Sequence, residues 1–168
     1  MAPPFWAFAW PGGEAFAHYI STHSELVRGK FVLDFAAGCG IAGLAALRAG
    51  AARVEAVDID PLAVAAMALN AAANGLELET ICGDITGQAC RWDVILCGDI
   101  CYEAPMTRHI LPWLKLCSAK IPVIIADPGR RYAPSEGFEV IAKIEVPTSL
   151  ELEDSNTRLV TLLHLLPK

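Results

Sequence analysis

A glycine-rich segment is the first part of the chain whose residue types and spacing suggest chemistry. The run Gly38-Cys39-Gly40-Ile41-Ala42-Gly43 matches G-x-G-x-x-G, a loop pattern that lets the backbone approach a nucleotide-like cofactor. An apolar run precedes it and a helix-like run follows it, which is the context that the pattern requires. Gly43 is expected to let that helix pack closely on the sheet. Several cofactors use such a loop, so the pattern alone does not identify one.

Asp34, four residues before Gly38, narrows the choice of cofactor. A dinucleotide places a negatively charged pyrophosphate at this turn, and a nearby carboxylate would repel it. S-adenosylmethionine instead carries a cationic ammonium and a cationic sulfonium, and no phosphate. We therefore predict that Asp34 contributes to the binding of S-adenosylmethionine. The alternative is that Asp34 only caps the turn.

Two further carboxylates follow the next two strand-like runs. Asp58 lies 20 residues after Gly38, where an acidic side chain accepts hydrogen bonds from ribose hydroxyls. Asp60 precedes Pro61 and is expected to cap a helix instead. Asp84 ends the third run, and we predict that it faces an adenine amino group. The alternative for Asp84 is a solvent-facing aspartate in a turn.

A fourth run ends in Gly98-Asp99-Ile100-Cys101-Tyr102. The carboxyl ends of parallel strands face the ligand crevice, so Asp99 and Tyr102 are predicted to point towards the transferred methyl group. A carboxylate and a phenol suit an amine nucleophile, because the carboxylate orients its cationic form and the phenol offers a polar edge. Free lysine has a pKa of about 10.4, so the site must also favour the neutral amine. The alternative is that Tyr102 is a half-buried core aromatic.

An aromatic segment precedes the first strand. Four aromatic side chains occur within six residues of the run Phe5-Trp6-Ala7-Phe8-Ala9-Trp10-Pro11-Gly12-Gly13. They either cover the apolar core or close over the cofactor, where an indole near a sulfonium would add cation–π attraction. Both interpretations stay open. Trp10, beside the flexible glycine pair, is the better candidate for a cofactor contact.

The elements that must position these residues follow from the alternation of strand-like and helix-like runs. The predicted strands are 31–36, 53–58, 78–82, 94–97 and 121–126, and the predicted helices are 41–49, 61–74 and one that begins near Pro105. This order indicates a parallel sheet with right-handed crossovers. Two more strands, 138–146 and 157–166, have no helix-length spacer and should pair antiparallel. The predicted fold class is α/β: a Rossmann-like seven-stranded methyltransferase sheet, with five parallel βα units followed by an antiparallel C-terminal hairpin.

Length and composition fit one domain. The chain has 168 residues, 54% hydrophobic and 19% charged, so 1–168 is assigned to a single S-adenosylmethionine-dependent methyltransferase domain. Residues 1–25 are expected to form an aromatic lid and a helix, 31–127 the cofactor-binding units and 138–166 the hairpin. The net charge is −6 and no basic stripe is present, which argues against a nucleic-acid partner. Arg130-Arg131 is interpreted as a solvated loop.

Cysteine usage and the amino terminus bear on the compartment. None of the six cysteines forms a C-x-x-C pair, so we predict no metal site and a reducing, cytoplasmic location. No apolar stretch resembles a membrane span, and the amino terminus has no basic residue ahead of its apolar part, which makes it a poor signal peptide. A eukaryotic version would be expected in the mitochondrion, although no transit peptide is seen. Nothing indicates an oligomeric state.

Three segments together resemble a known family. They are Pro4 to Gly13, Val32-Leu33-Asp34-Phe35-Ala36-Ala37-Gly38-Cys39-Gly40 and Ala56-Val57-Asp58-Ile59-Asp60-Pro61. They are similar to the electron transfer flavoprotein beta-subunit lysine methyltransferases, and Asp99-Ile100-Cys101-Tyr102 resembles the Asp-x-x-Tyr motif of the wider lysine methyltransferase group. The aromatic segment is the most specific part of the resemblance. Ala36 stands where the commonest methyltransferase loop has glycine.

The resemblance implies a site and a substrate. It implies that Asp99 and Tyr102 sit at the catalytic centre and that the methyl acceptors are lysine ε-amines of electron transfer flavoprotein beta-subunit, with a ribosomal stalk protein as a further substrate of bacterial relatives. S-adenosylhomocysteine would be the product. The full set of residues that we predict to contact S-adenosylmethionine is Trp10, Gly12, Asp34, Ala36, Gly38, Gly40, Asp58, Ile59, Asp84 and Asp99.

Two other functions stay open at this point. The first is a small-molecule amine methyltransferase of the nicotinamide N-methyltransferase kind, which would need a pocket closed at its substrate end. The second is a non-catalytic S-adenosylmethionine-binding protein that modulates a partner, suggested by an amino terminus that is short beside those of relatives.

Overall fold

The described part of the chain folds around one mixed sheet. The computed structural model describes residues 4–150 and 153–167. The strands of the sheet are β1 Phe31–Phe35, β2 Arg53–Asp58, β3 Glu79–Cys82, β4 Val94–Gly98, β5 Val123–Asp127, β6 Phe138–Pro147 and β7 Thr157–Leu165. They lie in the order β3-β2-β1-β4-β5-β7-β6. The predicted fold class is therefore confirmed, and each predicted strand boundary lies within two residues of the observed one.

The helices follow the predicted alternation. They are α1 Pro11–Thr22, α2 Ile41–Arg48, α3 Pro61–Ala73 and α4 Ala104–Ser118, with short 3-10 turns at Phe5–Ala7 and Ser24–Leu26. The chain leaves α3 through Gly75, which has a φ of +65° and so adopts the left-handed conformation that commonly ends a helix. Helix α4 continues through Pro112. Within residues 4–150 and 153–167, no helix is both long enough and apolar enough to cross a membrane.

Strand directions place one long connection at the functional edge. Strands β1 to β5 pair parallel, and β7 pairs antiparallel with both β5 and β6. Strand β6 therefore runs in the same direction as the parallel strands. The connection from β6 to β7 consequently lies at the edge where the carboxyl ends of β1 to β5 also lie. The last strand occupies an internal position of the sheet, between β5 and β6.

Apolar side chains pack on both faces of the sheet. On one face, α1 and α2 contribute Phe16, Ile20 and Ala46 against the strands, and on the other α4 contributes Trp113 and Leu114. Burial of this kind stabilises the fold by about 25 cal/mol per Å² of apolar surface. Strands that are covered on both faces read as continuous apolar runs, which is why β1, β4 and β5 were recognisable in the sequence.

Candidate active site

The carboxyl ends of β1, β2 and β4 meet beside the glycine loop. The loop turns sharply, since Ala36, Gly38 and Gly40 have φ values of +54°, +55° and +80°. A Cβ at Gly38 would meet no atom of residues 4–150 and 153–167 within 4 Å, so the loop borders open space in this part of the chain. A side chain at Gly40 would lie 2.9 Å from Cγ of Met67 in α3. Gly38 is thus free to border a ligand, whereas Gly40 is required by helix packing.

Asp34 is buried beneath this loop. Only 2% of its surface is exposed, and its Oδ2 accepts a hydrogen bond of 2.7 Å from the backbone N–H of Gly43 in the first turn of α2. Burial raises the pKa of Asp34 to about 7, against the lowering effect of the Gly43 hydrogen bond. Glycine at position 43 avoids a tight contact, because a Cβ would lie 3.1 Å from Asp34 Oδ2 and 3.2 Å from Val54 Cγ1. The structure thus shows the local capping contact, and a role of Asp34 towards the cofactor stays a prediction.

Asp34→Asn is expected to change how stability depends on pH. The folded protein holds the Asp34 proton more tightly than the unfolded chain, so this group stabilises the fold at low pH and loses that contribution as pH rises. The loss falls between its ordinary pKa of 3.8 and the folded value of about 7. Asparagine keeps an acceptor for Gly43 without ionising, so the variant should gain stability relative to the parent across this range. Urea unfolding at a series of pH values measures the difference, and parallel curves would contradict the assignment.

Asp58 joins the second strand to the glycine loop. Its Oδ2 accepts from the N–H of Gly38 at 2.9 Å, and its Oδ1 accepts from the N–H of Asp60 at 3.0 Å. Asp60 caps α3, since its Oδ1 accepts from the N–H of Leu62 at 2.8 Å, which confirms the capping prediction. Ile59 lies between them with 74% of its surface exposed. An exposed apolar side chain beside an anchored carboxylate is a surface on which a planar ligand can pack.

Asp84 lies on the surface after β3. Its Oδ1 accepts from the N–H of Thr86 at 2.8 Å, and its Oδ2 lies 2.7 Å from Nε2 of His109 in α4. The Thr86 hydrogen bonds, with His109 second, hold the pKa of Asp84 below its usual value. The observed arrangement is that of a solvent-facing turn aspartate with local partners. The predicted adenine contact stays a prediction.

Asp99 follows β4 in a left-handed conformation with a φ of +54°. Its Oδ2 accepts a hydrogen bond of 2.5 Å from the N–H of Gly12, in the first turn of α1. Its Oδ1 accepts from Nε and Nη2 of Arg130 at 3.0 and 2.8 Å. Burial raises the pKa of Asp99, while the Arg130 charge and the Gly12 hydrogen bond oppose that effect. Both carboxylate oxygens thus have partners within the protein.

Helix α1 begins directly against the end of β4. A Cβ at Gly12 would lie 2.6 Å from Asp99 Oδ2 and 2.7 Å from both the carbonyl oxygen of Ala126 and the N–H nitrogen of Asp99. A Cβ at Gly98 would lie 3.1 Å from the nitrogen of Gly13. The glycines at these positions therefore serve close backbone packing. The predicted cofactor contact of Gly12 stays a prediction.

The sequence interpretation of Arg130 was wrong. Only 19% of its side chain is exposed, and it forms ion pairs with Asp99 and with Glu153, whose Oε1 lies 2.6 Å from Nη2. Glu153 also pairs with Arg158 at 3.2 Å. Asp127, at the end of β5, accepts from the N–H groups of Gly129 and Arg130, while its Oδ1 is buried and has no hydrogen-bond partner among the residues that the structure describes. No sequence signal marked these residues, because they are far apart in the chain and a basic pair usually lies in solvent.

The aromatic segment lies across the crevice. The ring of Phe5 is 5.4 Å from the ring of Tyr102 and 5.9 Å from that of Trp10, whose Nε1 donates to the carbonyl of Phe5 at 2.7 Å. The 3-10 turn Phe5–Ala7 also packs on α3. Tyr102 keeps 38% of its surface exposed, and burial, with Glu103 and Asp58 nearby, raises its pKa. The segment thus bridges the β4 end and α3, which favours the interpretation that it closes over a ligand rather than over the core.

A separate groove of about 990 Å³ lies between helices. It is lined by residues of α1, α2 and α3, by Cys39 and Ile41 of the glycine-rich segment, and by Trp6 and Phe8 of the aromatic segment. None of the residues predicted to contact the cofactor or to act in catalysis is among its lining residues. Asp58, Asp99 and Tyr102 lie instead at the crevice formed by the strand ends.

Comparison with known proteins gives relatives for most of the chain. Residues 20–102 match the family described as ribosomal protein L11 methyltransferase. The chain is 39% identical over 131 residues to the electron transfer flavoprotein beta subunit lysine methyltransferase of Homo sapiens, covering 76% of this chain and 50% of that protein. It is 39% identical over 156 residues to the Danio rerio protein of the same name, covering 90% and 60%. The chain thus spans about half to three-fifths of the length of these relatives.

A solved structure shares the fold. Magnesium protoporphyrin IX methyltransferase from Synechocystis PCC 6803, with bound SAM, superposes with a TM-score of 0.64 at 16% identity, covering 90% of this chain and 77% of that one. At this identity the likeness concerns the fold alone.

Proposed function

We propose that this chain, which is 39% identical to electron transfer flavoprotein beta subunit lysine methyltransferases of two organisms, transfers methyl groups from S-adenosylmethionine to lysine side chains of a protein. One observation carries the proposal: the fold brings the glycine loop, the anchored Asp58 and the Asp99–Tyr102 turn to one crevice. The alignments, which cover up to 90% of the chain, support it.

The residues present fit S-adenosylmethionine. The loop is open at Gly38, where a Cβ would meet no described residue within 4 Å. Asp58 and the exposed Ile59 stand side by side, as an acceptor for ribose hydroxyls and an apolar surface for a base. Among the residues that the structure describes, no arginine or lysine takes part in the hydrogen bonds of the loop. When bound, the cofactor supplies the electrophilic methyl group.

Tyr102 is the residue best placed to receive an amine. Its pKa is raised, chiefly by burial, so the hydroxyl stays protonated near neutral pH and offers both a donor and an acceptor. The neighbouring Phe5 ring makes the surroundings apolar, which favours the neutral amine that attacks over the ammonium ion. The buried Asp99 holds the strand end in place. Asp99 Oδ2 accepts one hydrogen bond, from Gly12, and a carboxylate oxygen can accept two, so direct orientation of the amine by Asp99 would need access to this oxygen in a residue with 8% of its surface exposed.

The names of the relatives support a proposal for the substrate. We propose electron transfer flavoprotein beta subunit, or a protein like it, as the first substrate, and a ribosomal protein as the second, supported by the name of the matching family. We also propose a reducing compartment such as the cytoplasm, because all six cysteines are free and three of them are buried.

Ligand-dependent stability tests the cofactor. A ligand that binds only the folded state raises stability by RT ln(1 + [L]/Kd), so S-adenosylhomocysteine should raise the melting temperature in a thermal scan. NAD at the same concentration is the control and should leave it unchanged. A shift with NAD and none with S-adenosylhomocysteine would reverse the assignment.

Asp58→Ala is expected to weaken cofactor binding by about ten- to a hundredfold. The change removes a charged acceptor, and a hydrogen bond to a charged group contributes about 1.5–3 kcal/mol. Calorimetric titration with S-adenosylhomocysteine measures the loss. Asp60→Ala is the matched control, because it removes the cap of α3 and should lower stability by about 1 kcal/mol with little effect on affinity. The opposite ranking would move the ribose contact to Asp60.

Transfer of a labelled methyl group tests the reaction. The parent protein is incubated with labelled S-adenosylmethionine and, in separate reactions, with electron transfer flavoprotein, ribosomal protein L11 and nicotinamide. Label on a lysine of the flavoprotein beta subunit, located by mass spectrometry, supports the proposal. Label only in the ribosomal protein changes the substrate, label only in nicotinamide supports small-molecule transfer, and binding of S-adenosylhomocysteine without any transfer supports a non-catalytic modulator.

A further inference from the structure

The Arg130 guanidinium bridges two carboxylates that are far apart in the chain, those of Asp99 and Glu153. Nε and Nη2 donate to Asp99 Oδ1 at 3.0 and 2.8 Å, and Nη2 also donates to Glu153 Oε1 at 2.6 Å. Its Nη1 lies 3.5 Å from Glu153 Oε2. Glu153 is itself held by Arg158 at 3.2 Å and has 8% of its surface exposed. A planar guanidinium with its donors used in this way holds both partners in a fixed geometry.

This bridge links three elements at the crevice edge. Asp99 ends β4 and accepts from the N–H of Gly12, so it anchors the start of α1. Arg130 follows β5. Glu153 belongs to the connection between β6 and β7, which strand direction places at the same edge of the sheet. A displacement of the β6–β7 connection would therefore be transmitted to the residue that ends β4.

We propose that Arg130, held by Glu153, is a positioning residue that fixes the Asp99 carboxylate on the amide of Gly12 and so couples the β6–β7 connection to the catalytic centre. The proposal rests on the proposed function in so far as Asp99 and Tyr102 form that centre. Arg130 acts through Asp99 and has no direct part in methyl transfer.

The charges around Asp99 explain why an arginine is needed. Three groups from neighbouring elements act on Asp99: the Arg130 guanidinium, the Gly12 amide and the Asp127 carboxylate. Glu153 contacts the same guanidinium and does not contact Asp99 directly. Burial and Asp127 both raise the pKa of Asp99, whereas Arg130 and Gly12 lower it. Without Arg130 the carboxyl would take up a proton at higher pH, and a protonated oxygen no longer holds the Gly12 N–H as firmly.

The test compares four variants of the complete chain. Arg130→Gln removes the charge, Arg130→Lys keeps the charge without the guanidinium, and Glu153→Gln weakens the support of Arg130. Arg131→Gln is the matched control, because Arg131 is the exposed neighbour and lies 5.6 Å from the ring centroid of Tyr132. For each variant, NMR of the labelled aspartate carboxyls and of the Gly12 amide is recorded against pH. Methyl transfer per folded molecule is measured over the same pH range.

We expect Arg130→Gln to raise the proton affinity of Asp99 about tenfold or more and to shift the Gly12 amide resonance. Methyl transfer should fall at least tenfold, and its acidic limb should move to higher pH. Arg130→Lys should recover part of the methyl-transfer rate and part of the parental Asp99 titration. Glu153→Gln should give values between those of the parent and Arg130→Gln, and Arg131→Gln should match the parent. The proposal is overturned if Arg130→Gln leaves the Asp99 titration and the Gly12 resonance unchanged. It is also overturned if folded Arg130→Gln keeps the parental rate and pH profile. If the parent transfers no methyl group, the proposed function fails separately, and the two NMR readouts still decide the positioning role.

Discussion

Replacing Asp99 with asparagine is expected to lower the rate of methyl transfer by about a hundredfold while leaving the protein folded. Asparagine keeps the size of the side chain but has one acceptor oxygen, so either the Gly12 N–H or the Arg130 guanidinium loses its acceptor. The start of α1 or the strand end must then move, and small displacements are costly where reacting atoms are held in place. Loss of one buried hydrogen-bond acceptor should also reduce the free energy of unfolding by about 1–3 kcal/mol.

Two measurements separate the catalytic effect of Asp99→Asn from the structural one. Urea unfolding gives the loss of stability, and S-adenosylhomocysteine affinity should stay within a few-fold of the parent. Tyr102→Phe, which removes the hydroxyl of a residue with 38% of its surface exposed, should lower methyl transfer less and leave stability nearly unchanged. Loss of S-adenosylhomocysteine binding in Asp99→Asn would instead assign this carboxylate to the cofactor. Full activity in both variants would mean that the β4 end is a packed turn without a catalytic role.

Gly12→Ala is expected to be the most damaging single methyl addition near the crevice. The new Cβ would lie 2.7 Å from two backbone atoms, the nitrogen of Asp99 and the carbonyl oxygen of Ala126. Neither atom can rotate away, so α1 must retreat by about 1 Å to reach ordinary contact distance. We expect a loss of about 1–3 kcal/mol or more in the free energy of unfolding, together with a loss of about a hundredfold in methyl transfer. Thermal scans and labelled-methyl assays measure the two effects.

Gly13→Ala provides the matched control for that prediction. A Cβ at Gly13 would clash with Cγ2 of Ile41, a partly exposed side chain, rather than with backbone. The double variant Gly13→Ala/Ile41→Ala should therefore regain much of what Gly13→Ala loses. No side-chain truncation removes the two backbone contacts of Gly12→Ala. Equal and mild effects of Gly12→Ala and Gly13→Ala would show that α1 is not fixed against β4.

The strand pattern could be predicted from the sequence because burial leaves a local signature. Parallel strands covered on both faces need apolar residues at every position, and Val94 to Cys97 is such a run. Caps are equally local: Asp60 bonds to Leu62, two residues away. Pro112, by contrast, lies inside α4 and gave no local indication that the helix would continue past it.

Long-range electrostatics could not be predicted in this way. Arg130 and Asp99 are 31 residues apart, and Arg130 and Glu153 are 23 apart, so no spacing rule relates them. Only the sheet order brings the ends of β4 and β5 and the β6–β7 connection together. Gly12 shows the same limit, since its need for glycine comes from atoms of Asp99 and Ala126, which lie far along the chain.

The internal position of β7 sets a constraint on synthesis. The ribosome releases β5 before β6, yet the strand that pairs with β5 is made after β6, with β5 ending at Asp127 and β7 beginning at Thr157. At about 5–20 residues per second, the free edge of β5 waits on the order of a few seconds for its partner. During that interval the nascent chain exposes an apolar strand with unpaired backbone groups, a state prone to association with other chains. The sheet therefore cannot be completed until β7 has been synthesised. During this interval the exposed edge of β5 is a binding target for a chaperone.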